Sequence, residues 1–257
     1  MIQFNVKRFA KLARWSLTND RKYYVKNFLW VLVVLTLMFV GFSTNFFKVT
    51  TNGVSQNYAA CCIGTSIMFL ITVVTGPCWM FSSMSGKHDR QTLLMLPASN
   101  LEKYLMRYAT WMILLPLYLV AFFAADLIQF WVNVLRGDAG ITFITSELIY
   151  LVKSSSPMPK NMLHTLTIMG LWLHSFYALG GTFFRSHKFA WVLTSAAFIA
   201  MTILLAWLVP AEIIDEHTPM REMLMWDVFY AFWFVVNFWL SYRLFCRQQV
   251  IGRFVNL

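Results

Sequence analysis

The chain has 257 residues, of which 59% are hydrophobic, 18% aromatic and only 12% charged. A soluble domain carries roughly a quarter charged residues, so too little polar surface is left to cover a water-soluble globule, and a disordered chain or a coiled coil is excluded on the same ground. The net charge of +10 would suit a nucleic-acid-binding domain, but this apolar content would not, so no nucleic acid is expected as a partner.

A membrane span needs roughly 20 mostly apolar residues. The sequence predicts six, at about 28–47, 58–84, 108–135, 162–184, 190–210 and 223–246. Each is expected to be a helix, because backbone groups in lipid must bond within their own segment. The predicted fold is an all-α membrane protein: a cytoplasmic amphipathic region over 1–27, a six-helix transmembrane domain over 28–246 and a cytoplasmic tail over 247–257. No secretory signal is expected, since the first apolar run starts late and is too long for a signal core.

Residues 2–17 carry a helical pattern. Ile2, Val6, Phe9, Ala10, Ala13 and Leu17 fall on one arc, and Lys7, Arg8, Lys11 and Arg14 on the opposite side. Such a helix lies flat on a leaflet, held in part by anionic membrane lipid. Phe4 and Trp15 project onto the basic side and are free to meet headgroups or a protein. Asn19-Asp20 offers an N-cap for a second short helix rich in Arg21, Lys22 and Lys26, which leads into the first span.

The Lys/Arg bias sets orientation. The two termini and the loops after the second and fourth spans hold sixteen of the 21 Lys and Arg. Both termini are therefore expected in the cytoplasm. Trp30, Trp79, Trp111, Trp131, Trp191, Trp207 and Trp226 lie near span ends and read as interfacial belts. Cys61, Cys62, Cys78 and Cys246 lie in or beside apolar runs without a CxxC pair, so they read as small apolar side chains rather than disulfides or a zinc site.

The loop after the second span is the most informative stretch. Gly86 is expected to break the preceding helix, and Pro97 forbids helix continuation through it. Ser99 and Glu102 make an S-x-x-E capping box, which starts a new helix feeding the third span. A short polar-then-apolar element therefore sits between two helix breaks.

The run from Asp89 to Arg107, DRQTLLMLPASNLEKYLMR, resembles the cytoplasmic loop of permease subunits of type-2 ABC transporters, mostly exporters. Its Leu-Pro-Ala-Ser-x-x-Glu-Lys form is similar to permeases of the Bacteroides group. In that family a stretch like R-x-x-T-L-x-x-L-L-x-x-P-x-S carries the coupling helix that docks on the ATPase subunit. The resemblance implies that Asp89, Arg90, Thr92, Leu93, Leu94 and Leu96 form the coupling element. Pro97, Ser99 and Glu102 would shape its exit, and Arg185 and Lys188 would give a second contact in the next cytoplasmic turn. The common family form has an Arg-x-x-Gly-Thr run here, whereas His88-Asp89-Arg90-Gln91-Thr92 lacks the Gly.

No G-x-x-x-x-G-K-[ST] motif occurs; the one Gly-Lys pair, Gly86-Lys87, has Phe81 where the first Gly is needed. The chain is therefore not expected to be an enzyme or to carry a cofactor. ATP would bind a separate ABC ATPase subunit, and a second permease copy (a homodimer, or a paralogue) would complete the pathway. The expected location is a bacterial inner membrane.

Ionisable residues within spans are candidate pathway groups. These are Asp126 in the third span, His174 in the fourth and Asp227 near the outer start of the sixth; hydrogen bonding to a neighbouring helix is the alternative for a residue such as His174, and Asp227 is close enough to the surface to be hydrated. Residues 141–152 read as a short helix on the outer leaflet. The acidic loop 212–222 reads as a solvated turn or an outer vestibule, with Thr218-Pro219 opening the last helix. Two other functional classes stay open: a non-transporting membrane scaffold that anchors a cytoplasmic partner, and a membrane-embedded enzyme, for which no H-E-x-x-H or nucleophile motif is present.

Overall fold

The computed structural model describes residues 4–44, 46, 54–81, 91–93, 95–137, 142–154, 160–184, 189–208 and 220–247. Its elements are helices, with no strand among the described residues. They are α1 (Val6–Asn19), α2 (Arg21–Ser43), α3 (Val54–Thr75) followed by a 3-10 turn (Gly76–Trp79), α4 (Asn100–Arg136), α5 (Ile144–Ser154), α6 (Lys160–Phe183), α7 (Ala190–Leu208) and α8 (Met220–Cys246).

Among the described residues, four helices are long and apolar enough to cross a membrane: Arg21–Ser43, Asn57–Trp79, Asn100–Arg136 and Met223–Cys246. Between 11% and 28% of each apolar stretch is buried within the chain. The remaining apolar surface is far more than water tolerates, so these helices suit a membrane-embedded protein. The fourth expected span is a helix of lesser apolarity, and the fifth is strongly apolar but short over the described residues. In α6 the run is diluted by His164, Thr165, Thr167, Gly170, His174 and Ser175, and the apolar stretch of α7 covers Ala190–Leu204.

Local chemistry explains where elements start and stop, and it moves several expected boundaries. No separate short helix precedes the first span, because α2 runs unbroken for 23 residues from Arg21. Asp20 does occupy its N-cap position but makes no side-chain cap bond. The second span loses its α-helical form at Thr75, well before Gly86, because Pro77 cannot donate to the ladder and crowds the preceding turn. Gly86 and Thr218-Pro219 lie outside the described residues. The 37 residues of α4 extend about 55 Å at ~1.5 Å per residue, more than the ~30 Å hydrocarbon core. Its first two turns, with Glu102, Lys103 and Arg107, therefore project beyond the apolar stretch that begins at residue 108. It ends at Gly137, whose φ of 71° is the left-handed conformation that stops helices at low cost for glycine.

The chain divides into two compact units. One comprises Met1–Thr18, Thr72–Trp111 and Met158–Leu257; the other comprises Asn19–Ile71 and Met112–Pro157. In the first, α6 packs most extensively on α8 and also meets the 3-10 turn and α7. Small residues allow the close approach: a Cβ on Gly181 would lie 2.7 Å from the Cys78 backbone. Gly76 leaves room for the ring of Trp111, which is only 3% exposed. Trp111 is therefore a packing residue, not a member of an interfacial belt. In the second unit, Phe39, Tyr58, Cys61, Cys62, Ala125 and Ile144 form the core. The four cysteines are free; Cys61, Cys62 and Cys78 are buried and Cys246 is exposed.

Candidate functional site

In the first unit, α1 is clamped to the start of α4 by one carboxylate. Ser99 and Glu102 form the reciprocal capping box. The Ser99 backbone N–H donates to Glu102 Oε2 at 2.8 Å, and the Glu102 N–H donates to Ser99 Oγ at 3.2 Å. The same carboxylate receives Arg8 through two parallel bonds, Nε to Oε2 at 2.8 Å and Nη2 to Oε1 at 2.7 Å. A fourth donor, the Asn5 backbone N–H, reaches Oε1 at 2.7 Å. Asn5 in turn caps α1: its Oδ1 accepts from the N–H groups of Lys7 at 2.9 Å and Arg8 at 3.3 Å. Two turns further along α1, Ser16 Oγ accepts from the buried Arg107 guanidinium at 2.9 Å.

Electrostatics follow from this geometry. The Arg8 guanidinium holds the Glu102 carboxyl down at about 2, against the opposing effect of its burial, with help from the Asn5 and Ser99 N–H groups. Glu102 reciprocally raises Arg8. A two-pronged charge-assisted pair of this kind fixes orientation as well as proximity.

The clamp divides α1 into three sectors. Arg8, Leu12 and Ser16 face the protein. Val6, Ala10 and Leu17, from the predicted apolar arc, stay exposed, as a helix lying on a leaflet requires. Lys7, Lys11 and Arg14 are exposed on the third side. Arg8, expected among those outward bases, is instead turned onto Glu102.

The expected coupling element lies just ahead of the capping box. Residues 91–93 and 95 are helical. Leu93 is 3% exposed and Met95 is 84% exposed. Thr92 and Pro97 are exposed, Leu96 is half-buried and Ala98 is buried. The turn closes with the Ala98 N–H donating to the Leu96 carbonyl at 2.8 Å. Leu93 thus packs inward, and the apolar group offered outward is Met95, which the leucine pattern of the sequence did not single out. Asp89, Arg90, Leu94, Arg185 and Lys188 lie outside the described residues.

Each of the three ionisable residues within spans has a hydrogen-bond partner among the described residues. In the second unit, buried Asp126 caps α5. Its Oδ1 accepts from the Ile144 N–H at 2.8 Å, and its Oδ2 accepts from the Thr145 N–H at 3.0 Å and the Thr145 hydroxyl at 2.6 Å. Asp126 belongs to a buried polar face of α4 with Gln129 and Asn133, both of which donate to the Tyr58 hydroxyl, at 3.0 and 3.3 Å. The spacing of 126, 129 and 133 is helical and was available in the sequence, where neutral amides draw less notice than charges.

In the first unit, His174 Nδ1 lies 2.7 Å from the Val73 carbonyl and Nε2 lies 2.7 Å from the Tyr108 hydroxyl. A carbonyl only accepts, so Nδ1 carries a proton, and in the neutral ring Nε2 accepts from Tyr108. Asp227 Oδ2 pairs with His164 Nδ1 at 2.9 Å, a partnership sixty-three residues apart that no local spacing reveals. Asp227 Oδ1 is buried without a hydrogen-bond partner among the described residues. No group of three or more His, Cys, Asp or Glu gathers into a metal site among the described residues.

Comparison with protein-family models, curated proteins and solved structures finds no match to this chain.

Proposed function

We propose that the chain is the membrane-spanning permease subunit of an ATP-driven exporter of the type-2 ABC class. In this reading α6 and α7 join α2, α3, α4 and α8 as spans, both termini are cytoplasmic, and the protein sits in a bacterial inner membrane. A separate ATPase subunit binds ATP, and a second permease copy or a paralogue completes the pathway.

The observation that carries the reading is the short element over 91–98. Buried Leu93 anchors it, exposed Met95 offers an apolar contact, and it passes directly into the capped start of α4. A partner pressing on Met95, Thr92 and Pro97 would load a helix that is long enough to cross the bilayer. The Arg8–Glu102 clamp would carry the same load to α1. Because Leu93 points inward, Met95 rather than the Leu93–Leu94 pair is the place to test docking.

The experiment is affinity purification of the full chain from its native membrane. A stoichiometric ATPase is expected with the wild-type protein. Met95→Asp should insert normally and lose it. A wild-type protein with no nucleotide-binding partner, or an M95D variant that retains the full complement of ATPase, refutes the proposal.

A further inference from the structure

The geometry points to a binding site for one anionic phospholipid at the start of α2. An open groove of about 680 Å³ is lined by Arg21, Lys22, Val25, Lys26, Leu29 and Trp30. All six side chains are exposed. Their spacing places them on one continuous strip of the helix, because residues four apart are neighbours along its face. The three cations occupy the first turn and a half. The apolar members reach about one turn deeper along an axis that rises ~1.5 Å per residue.

That order of polarity, cations first and hydrocarbon below, matches a phospholipid entering headgroup outward. Arg21 offers a planar fork suited to phosphate, and Lys22 and Lys26 add point charges. Among the described residues no carboxylate lines the groove, so the choline or ethanolamine of a zwitterionic headgroup finds no counter-charge there, and a net anionic headgroup is favoured. Val25, Leu29 and Trp30 are 49%, 51% and 63% exposed and give an acyl chain an apolar bed. Free phosphate would leave that bed unused. Trp30 also stands where an indole settles at the headgroup boundary. This inference requires α2 to lie in a bilayer but does not depend on the ATPase-coupling proposal.

The full chain, reconstituted in phosphatidylcholine vesicles with a minor fraction of phosphatidylglycerol brominated on its acyl chain, tests it. Emission lost in wild type but not in Trp30→Phe isolates quenching at Trp30. Quenching is expected at roughly tenfold the level that the mole fraction predicts. It should fall to that level in the triple variant Arg21→Gln, Lys22→Gln, Lys26→Gln and persist in Lys22→Arg, Lys26→Arg. Equal quenching by brominated phosphatidylcholine at the same fraction overturns the site, as does enrichment that survives the triple substitution. Displacement of the quencher by inorganic phosphate also overturns it, by showing an anion site indifferent to lipid. If the triple variant does not insert, the comparison of the two brominated lipids on wild type decides alone.

Discussion

Replacing Asp126 by Ala removes the one side-chain cap on the start of α5 among the described residues. Two backbone N–H groups, of Ile144 and Thr145, and the Thr145 hydroxyl then lose their acceptor. Phe143, which precedes the helix, has no oxygen in its side chain to replace it. Asp126 and Ile144 are buried, Ile144 completely so, whereas Thr145 is half-buried, so the Ile144 N–H is the donor least able to find water in place of the carboxylate. Losing a helix cap costs about 0.5–2 kcal/mol, and a buried unsatisfied donor costs about 1–3 kcal/mol. With two backbone donors orphaned, the expected loss is about 2–5 kcal/mol. Asp126→Asn keeps one side-chain oxygen and should lose about half as much.

Hydrogen–deuterium exchange of the purified protein in detergent is the direct assay. D126A should raise exchange across α5 and lower the unfolding midpoint, with D126N between it and wild type. If α5 amides stay equally protected in D126A and the midpoint does not move, the assignment of Asp126 as a cap is wrong, and a role in a transport pathway becomes the better account of a buried carboxylate in α4.

Acid should release α1. Glu102 has its carboxyl lowered from an ordinary 4.5 to about 2, so the clamp is fully present above about pH 4.5 and fades as pH falls towards 2; exchange in α1 that rises instead between pH 7 and 5 contradicts this. Glu102→Gln removes the charge behind four accepted bonds, and α1 amides should exchange about tenfold faster at neutral pH. Gly181→Ala forces a Cβ to within 2.7 Å of the Cys78 backbone and should cost about 1–3 kcal/mol in thermal unfolding. Gly170→Ala meets nothing within 4 Å and should be neutral or stabilise by up to about 1 kcal/mol; equal effects at the two sites would refute the close approach of α6 to the 3-10 turn. The ¹⁵N shifts of His174 should report a neutral ring protonated at Nδ1, and Tyr108→Phe should alter the Nε2 signal alone.

The helical nature of the chain, the apolar runs, the start of α4 at its capping box and the presence of a short helix near 141–152 were all legible in local sequence. Each depends on neighbours within a few residues: the 3.6-residue period, the cap three residues away, the length of an uncharged run. The boundary set by the capping box at Ser99 and Glu102 was legible for the same reason. The end of α3 before Gly76-Pro77 has a local cause as well, but the apolar run continues past the proline, so an expectation built on run length places the end at Gly86. The outward sector of α1 was also legible as an arc, yet its protein-facing sector was not.

Composition and periodicity by themselves determined that this is an all-helical chain with too much exposed apolar surface for water, because hydrophobic area and helix capping are summed or read locally. Only the tertiary structure decided which side of each helix meets protein. Arg8 reaches Glu102 across ninety-four residues, His164 reaches Asp227 across sixty-three, and Trp111 turns from the bilayer boundary onto Gly76. Such contacts are chosen by the packing of distant helices, where a buried polar group must find a partner and a missing side chain opens space for a ring. No spacing along the chain encodes which partner that will be.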